Sequence, residues 1–155
     1  MDLGRVITAM VTPLNEDFSV NYEKAQELAA YLLDNGSDAL VVTGTTGESP
    51  TLRQEEKLKM YAAVGEVCHS AGKLMVAGTG SYDTGNTVEL SKKAEAMGAD
   101  AILAVTPQYN KPPQEGLFRH FQTLAGAVNI PVIPYNVPSR TSVNLEPCTD
   151  RKSVV

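Results

Sequence analysis

Positive charge is in short supply in this sequence: 13 Lys and Arg stand against 18 Asp and Glu, giving a formal charge of −5 and an isoelectric point near 5.0. That balance leaves no basic surface for a polyanion, which argues against nucleic-acid binding. Long hydrophobic runs are missing too. None approaches the roughly 20 residues that span a bilayer, and Met1-Asp2-Leu3-Gly4-Arg5 lacks the basic-then-apolar layout of a secretory leader. A soluble, cytosolic chain with no membrane partner is expected. The two cysteines, Cys68 and Cys148, form no CxxC pair, so free thiols are expected rather than a disulfide or a thiolate metal site. The two imidazoles, His69 and His120, fall on different predicted helices without ligand spacing. They read as helix-surface residues, and no metal site is expected.

What is present is a repeat of apolar, β-branched runs about 30 residues apart, the length of a βα unit. The runs are Val6 to Val11, Ala39 to Thr43, Leu74 to Ala77, Ala101 to Val105 and Pro131 to Tyr135. They do not alternate apolar with polar, as expected of parallel strands buried on both faces. Between them lie four segments of helical period. Ala25, Leu28, Ala29, Leu32 and Leu33 share a face that starts after Asn21, a candidate N-cap, and stops at Asn35-Gly36. Leu58, Tyr61, Ala62 and Gly65 mark a second helix opening near Arg53, and Leu90, Ala94 and Met97 a third ending at Gly98. Leu117, Phe121, Leu124, Ala125 and Val128 mark a fourth, starting after Lys111-Pro112-Pro113.

The order βαβαβαβαβ predicts a parallel sheet with right-handed crossovers, either an open doubly wound sheet or part of a closed barrel. An open sheet needs ligand chemistry only at its switch point. Here nearly every strand ends in a small or polar cluster: Thr12-Pro13, Gly44-Thr45-Thr46-Gly47, Gly78-Thr79-Gly80-Ser81, Thr106 to Asn110, and Tyr135 to Arg140. Converging polar tips are the barrel's arrangement, and a (β/α)8 barrel usually takes roughly 250 residues. The fold expectation is α/β: about five strands and four helices forming the N-terminal part of a (β/α)8 TIM barrel.

Gly44 to Ser49 lacks the Gly-Lys-Ser/Thr ending of a P-loop, and Gly78-Thr79-Gly80 matches a dinucleotide fingerprint only in part, the third glycine falling at Gly85. Thr45 and Thr46 would either cap the following helix or, with backbone N–H groups, hold a small carboxylate. Tyr109 and Tyr135 each follow a strand, as packing residues or as proton carriers. Arg140 is either a solvated loop charge or a fork for a carboxylate. From the residues alone, the expectation ends at a small anionic substrate in a barrel mouth.

Taken together, Gly44-Thr45-Thr46-Gly47-Glu48-Ser49, Ala77-Gly78-Thr79-Gly80, Thr106 to Pro112 and Tyr135-Asn136-Val137-Pro138-Ser139-Arg140-Thr141 closely resemble the 4-hydroxy-tetrahydrodipicolinate synthase family, traditionally dihydrodipicolinate synthase. The match runs from about Gly4 to Pro147. The resemblance implies a lyase that condenses pyruvate with aspartate semialdehyde in lysine and diaminopimelate biosynthesis, through a Schiff base on a barrel lysine and without metal or organic cofactor. Thr45, Tyr109 and Tyr135 match the family's proton-relay triad, with Tyr109 shared across a dimer of the usual homotetramer. Thr46 matches the pyruvate-carboxylate position and Arg140 the residue that receives the semialdehyde carboxylate. Positions that are His, His, Tyr and Glu in lysine-sensitive relatives are here Gln54, Lys57, Gln108 and Asn86, so weak lysine feedback or none is expected.

The family's Schiff-base lysine belongs to the sixth strand. None of Lys24, Lys57, Lys59, Lys73, Lys92, Lys93, Lys111 or Lys152 falls at the C-terminal end of a predicted strand. Residues 1–147 therefore read as an incomplete barrel domain, inactive by itself, and residues 148–155 as a tail foreign to the family. Asp150 to Val155 equals the translation of GAT-CGG-AAG-AGC-GTC-GTG, a common sequencing-adapter stretch. Two rivals remain open: another pyruvate-dependent aldolase, such as a sialic acid lyase, and a short non-catalytic chain that binds small carboxylates.

Overall fold

Five parallel strands lie side by side in chain order: β1 (Ile7–Ala9), β2 (Ala39–Val42), β3 (Leu74–Gly78), β4 (Ala101–Val105) and β5 (Val132–Tyr135). This computed structural model describes residues 2–153. A doubly wound sheet reverses its strand order at a switch point, whereas a barrel adds each strand beside the last. The sequential order therefore decides for the barrel: the chain is a five-stranded arc of a (β/α)8 fold. Register brings Val41 beside Val76, Val76 beside Ala101, and Ile102 beside Val132.

Six helices accompany the strands: α1 (Tyr22–Asp34), α2 (Gln54–Ser70), α3 (Thr84–Ala96), α4 (Gln114–Ala125), the short α5 (Pro138–Thr141) and α6 (Pro147–Ser153). Their ends follow local chemistry. The Asn21 side chain accepts the Lys24 N–H, and Asp83 accepts the Asn86 N–H in the same way at the start of α3. At α2, the Glu56 carboxylate reaches back to accept the Arg53 N–H at 2.8 Å. In α1, the buried residues Ala25, Ala29 and Leu33 recur every fourth position, the stripe that seats the helix on the sheet.

The core has two layers. The larger lies between helices and sheet and includes Leu40, Val42, Met60, Tyr61, Met75, Ile102, Leu117 and Phe121. The smaller lies on the concave face, where Val41, Val76 and Ala101 meet Leu3, Leu103 and Ile133. The middle strands are buried on both faces, but β1 has two exposed residues out of three and β5 is only half-buried throughout. β1 is also shorter than the apolar run Val6 to Val11, because as an edge strand it bonds only with β2.

One local expectation is corrected. His120 is not a surface residue: it is 3% exposed and shares the inward face of α4 with Leu117, Phe121 and Leu124. Its Nδ1 lies 2.8 Å from the Thr84 hydroxyl of α3. His69 does stay partly exposed, with Nε2 2.9 Å from the Asp100 carboxylate. The stretch after Glu146 is helical: α6 runs from Pro147 to Ser153. Proline opens it, Asp150 lies in its first turn and Arg151 and Lys152 in its last, charges that suit both ends of the helix dipole. It packs beside α4, where the Thr149 hydroxyl donates to Gln114 Oε1 at 2.7 Å. Val154 and Val155 lie outside the described residues.

Candidate active site

The backbone turns sharply at the end of β2. Thr43 follows the strand with φ of +51°, a conformation that β-branched residues rarely adopt. Its side chain is buried, donating to the Tyr61 phenol oxygen at 2.9 Å or to the Gly78 carbonyl at 3.2 Å. Tyr61, held in α2, donates to the same carbonyl at 2.9 Å. Burial drives the Tyr61 phenol far above its ordinary pKa, so it stays a neutral donor.

After Thr43, the loop Gly44 to Glu48 folds over the end of the sheet. The Glu48 N–H donates to the Thr45 carbonyl and the Ser49 N–H to the Gly44 carbonyl, while the Thr12 hydroxyl donates to the Gly47 carbonyl at 2.7 Å. Gly47 sits so close to Thr12, Met10 and Thr43 that a side chain would press on all three. A methyl group on Gly78 would come 2.6 Å from the Thr43 carbonyl oxygen, and one on Gly80 would meet the Val105 backbone. Close packing of neighbouring tips thus accounts for the Gly-x-Gly of β3. Thr45 and Thr46 cap neither helix that follows: a 3-10 turn, Ser49–Thr51, is preceded by Glu48, and α2 by Arg53.

These tips surround a cavity of about 440 Å³. Of the five candidate residues, the structure brings three to its wall: Thr45 from the β2 loop, the half-buried Tyr135 from the end of β5, and Arg140 from α5. Thr46 is exposed in the same loop and does not line the cavity. Tyr109 projects outward, 88% exposed, from a loop with φ of +68°. That loop is tied to its neighbour by the Asn110 amide, which donates to the Tyr82 carbonyl at 3.3 Å.

The strand-tip residues Ser49 and Ser81 also line the wall, and sequence reasoning misses two further wall residues, Tyr82 and Lys57. Lys57 follows no strand, yet it enters the cavity from α2. Its signal is in the helix period, because Lys57 stands four residues before Tyr61 on the stripe that continues through Val64 and Cys68. Burial lowers its pKa, with no carboxylate to offset the loss of water. Among the described residues, two cations, Lys57 and Arg140, line the cavity, and no Asp or Glu does. Among the described residues, no group of three or more His, Cys, Asp or Glu is placed to hold a metal ion, and no helix is long and apolar enough to cross a membrane.

An arc of parallel βα units with a cationic, hydroxyl-rich cavity at the strand C-termini defines the class: a (β/α)-barrel protein. Comparison with known proteins makes this specific. Residues 2–152 match the model of the dihydrodipicolinate synthetase family, and the chain belongs to that family.

It is 53% identical over 149 residues to the 4-hydroxy-tetrahydrodipicolinate synthase of Desulforamulus reducens, a match covering 96% of this chain and 50% of that protein. The crystal structure of a dihydrodipicolinate synthase from Bacillus anthracis superposes with a TM-score of 0.94 at 45% identity, covering 97% of this chain and 51% of the other. That of the enzyme from Cyanidioschyzon merolae with lysine bound gives 0.94 at 43% identity, covering 97% and 51%. The chain therefore spans about half the length of the relatives it matches.

Proposed function

We propose that this chain carries the first half of the active site of a 4-hydroxy-tetrahydrodipicolinate synthase, which condenses pyruvate with aspartate semialdehyde. The observation that carries this is the gathering of Thr45, Tyr135 and Arg140 on one acid-free cavity in a member of the dihydrodipicolinate synthetase family. The nucleophile would be a lysine on a sixth strand, outside the present sequence. Its amine adds to the pyruvate ketone and loses water to give an iminium, whose electron demand makes the adjacent methyl acidic. The resulting enamine attacks the aldehyde carbon, and the aldehyde oxygen takes up a proton. No metal or organic cofactor is assigned a part.

In this scheme Thr45, Tyr135 and Tyr109 pass protons between the reacting atoms and solvent. Thr46 binds the pyruvate carboxylate and Arg140 the carboxylate of the semialdehyde. The outward Tyr109 suits a residue lent to a neighbouring subunit, in keeping with a homotetramer in which Tyr109 is shared across a dimer. A cytoplasmic location, a barrel domain ending at Pro147 and a foreign tail from Cys148 to Val155 belong to the same proposal. The 155-residue chain by itself is expected to be inactive.

The test is to recover the genomic reading frame, express its full product, and treat it with pyruvate and borohydride. A mass increase on a lysine of the sixth strand, together with pyruvate-dependent consumption of aspartate semialdehyde, is the expected result. A frame that supplies no such lysine, or a product that ignores the aldehyde, overturns the proposal. Genomic DNA that encodes the tail through Val155 would overturn its foreign origin.

A further inference from the structure

Arg140 sits on α5, a single helical turn that cannot hold its shape unaided, since the first turn fixes several backbone dihedrals for little hydrogen bonding. Its geometry is imposed from outside by two side-chain carboxamides. Asn136, next after Tyr135 at the end of β5, pairs with both backbone groups of Leu145: its Oδ1 accepts the Leu145 N–H at 3.0 Å, and its Nδ2 donates to the Leu145 carbonyl at 3.3 Å. The same Nδ2 donates to Asn144 Oδ1 at 2.9 Å. Such two-sided pairing imitates a neighbouring strand and closes residues 136–145 into a loop that carries Arg140. From the other side, Gln114 at the start of α4 donates to the Asn144 carbonyl at 2.7 Å and accepts the Glu146 N–H at 3.1 Å. Leu145, between the two carboxamides, is buried.

We propose that Asn136 is a positioning residue for the aldehyde substrate: its carboxamide, braced by Gln114, fixes the return of the α5 loop and so holds the Arg140 guanidinium on the cavity wall. This rests on the reading of Arg140 as the seat of the semialdehyde carboxylate. Tyr135 and Val137, on either side of Asn136, line the cavity, while Asn136 itself does not. Its side chain serves the loop and not the reacting atoms. The β2 loop, which carries Thr45 and Thr46, takes no part in these hydrogen bonds, so pyruvate and the aldehyde should respond differently to their loss.

Steady-state kinetics of the full-length product carrying Asn136→Ala test this. KM for aspartate semialdehyde is expected to rise about tenfold, the loss of one well-aimed charge-assisted hydrogen bond. KM for pyruvate and the rate of pyruvate-dependent borohydride trapping should change by less than about twofold. Gln114→Ala should raise the same KM, and the double variant should raise it by less than the product of the two effects, because both act on Asn144 to Glu146. An aspartate semialdehyde KM that does not move, or equal losses for both substrates, overturns the proposal.

Should Asn136→Ala fail to fold, Gln114→Ala alone carries the test, since it loosens the same segment from α4 and leaves β5 untouched. Synthase activity and this clamp fail separately. The Arg140, Thr141 and Ser142 amides donate to the Val137 and Pro138 carbonyls. In the 155-residue chain with Asn136→Ala or Gln114→Ala, their NMR resonances are expected to move to unstructured positions while those of β4 stay. A full-length product that consumes no aspartate semialdehyde sinks the reading of Arg140 but not that spectral change. An active product whose α5 amides and aldehyde KM ignore both substitutions sinks only the clamp.

Discussion

Thr43 Oγ1 lies 2.9 Å from the phenol oxygen of Tyr61, and both hydroxyls face the carbonyl oxygen of Gly78, at 3.2 and 2.9 Å. This buried triangle joins β2, β3 and α2 directly beneath the cavity. It offsets the cost of holding Thr43 at positive φ, a conformation that costs on the order of 1–3 kcal/mol.

Removing one corner of the triangle should therefore be felt in stability. Tyr61→Phe is expected to lower the unfolding free energy by about 1–2 kcal/mol, because a buried hydroxyl loses its acceptor and donor roles together. Urea denaturation gives the value. Pairing it with Thr43→Ala should give a double-mutant effect smaller than the sum, since both changes empty the same network.

Gly78→Ala is expected to be more damaging, about 3 kcal/mol by the same measurement, since the new methyl meets rigid backbone at 2.6 Å rather than a movable side chain. A Gly78→Ala variant as stable as the parent would mean that the β2 and β3 tips do not approach this closely.

His120 links stability to pH. Burial lowers its pKa below the ordinary 6.5, outweighing the opposing pull of Asp83. Above pH 6.5 the ring is neutral in both folded and unfolded chains and imposes no penalty. As the pH falls from 6.5 towards the lower folded value, the unfolded chain takes up the proton first, and stability is lost. His120→Gln should flatten the fall in urea midpoint between neutral pH and pH about 5. An unchanged slope would assign that fall to other groups.

The two thiols should differ in reactivity. Cys148 is exposed, while Cys68 is buried in α2 and pushed up to about 11, chiefly by burial and secondarily by Asp100. Thiolate is the reactive form. Brief iodoacetamide treatment of the native chain near neutral pH is expected to label Cys148 alone by mass spectrometry, and Cys68 only after denaturation.

Lysine should be a poor inhibitor of the full-length product. Lys57 stands where the family resemblance expects a feedback residue, and a fixed ammonium there repels a cationic effector. Activity is expected to persist in millimolar lysine. Strong inhibition below that concentration, in a steady-state assay, would contradict this.

Much of the fold is legible in the sequence because its signals are local. Parallel strands buried on both faces must be continuous apolar runs, and the runs at Ala101 to Val105 and Ala39 to Thr43 match β4 and β2 within a residue. Asn21 caps α1 as its side chain requires. Less legible is anything set by the partner of an element. His120 reads as a surface residue until α3 packs against α4, and Lys57 stands apart from the site until the inward face of α2 meets the β2 loop. Strand-end chemistry points to Thr45, Tyr135 and Arg140, but it is blind to a wall residue such as Lys57 that lies on a helix.

By itself the sequence determined the βα alternation, the helix ends and the polar character of each strand tip, because backbone geometry ties those features to spacings of a few residues. Only the tertiary structure decided that the strands follow one another as neighbours, that Thr43 turns against Tyr61 and Gly78, and that Lys57 and Arg140 face one cavity without an acid between them. Those outcomes come from contacts between segments tens of residues apart, where packing and desolvation, rather than periodicity, select the arrangement.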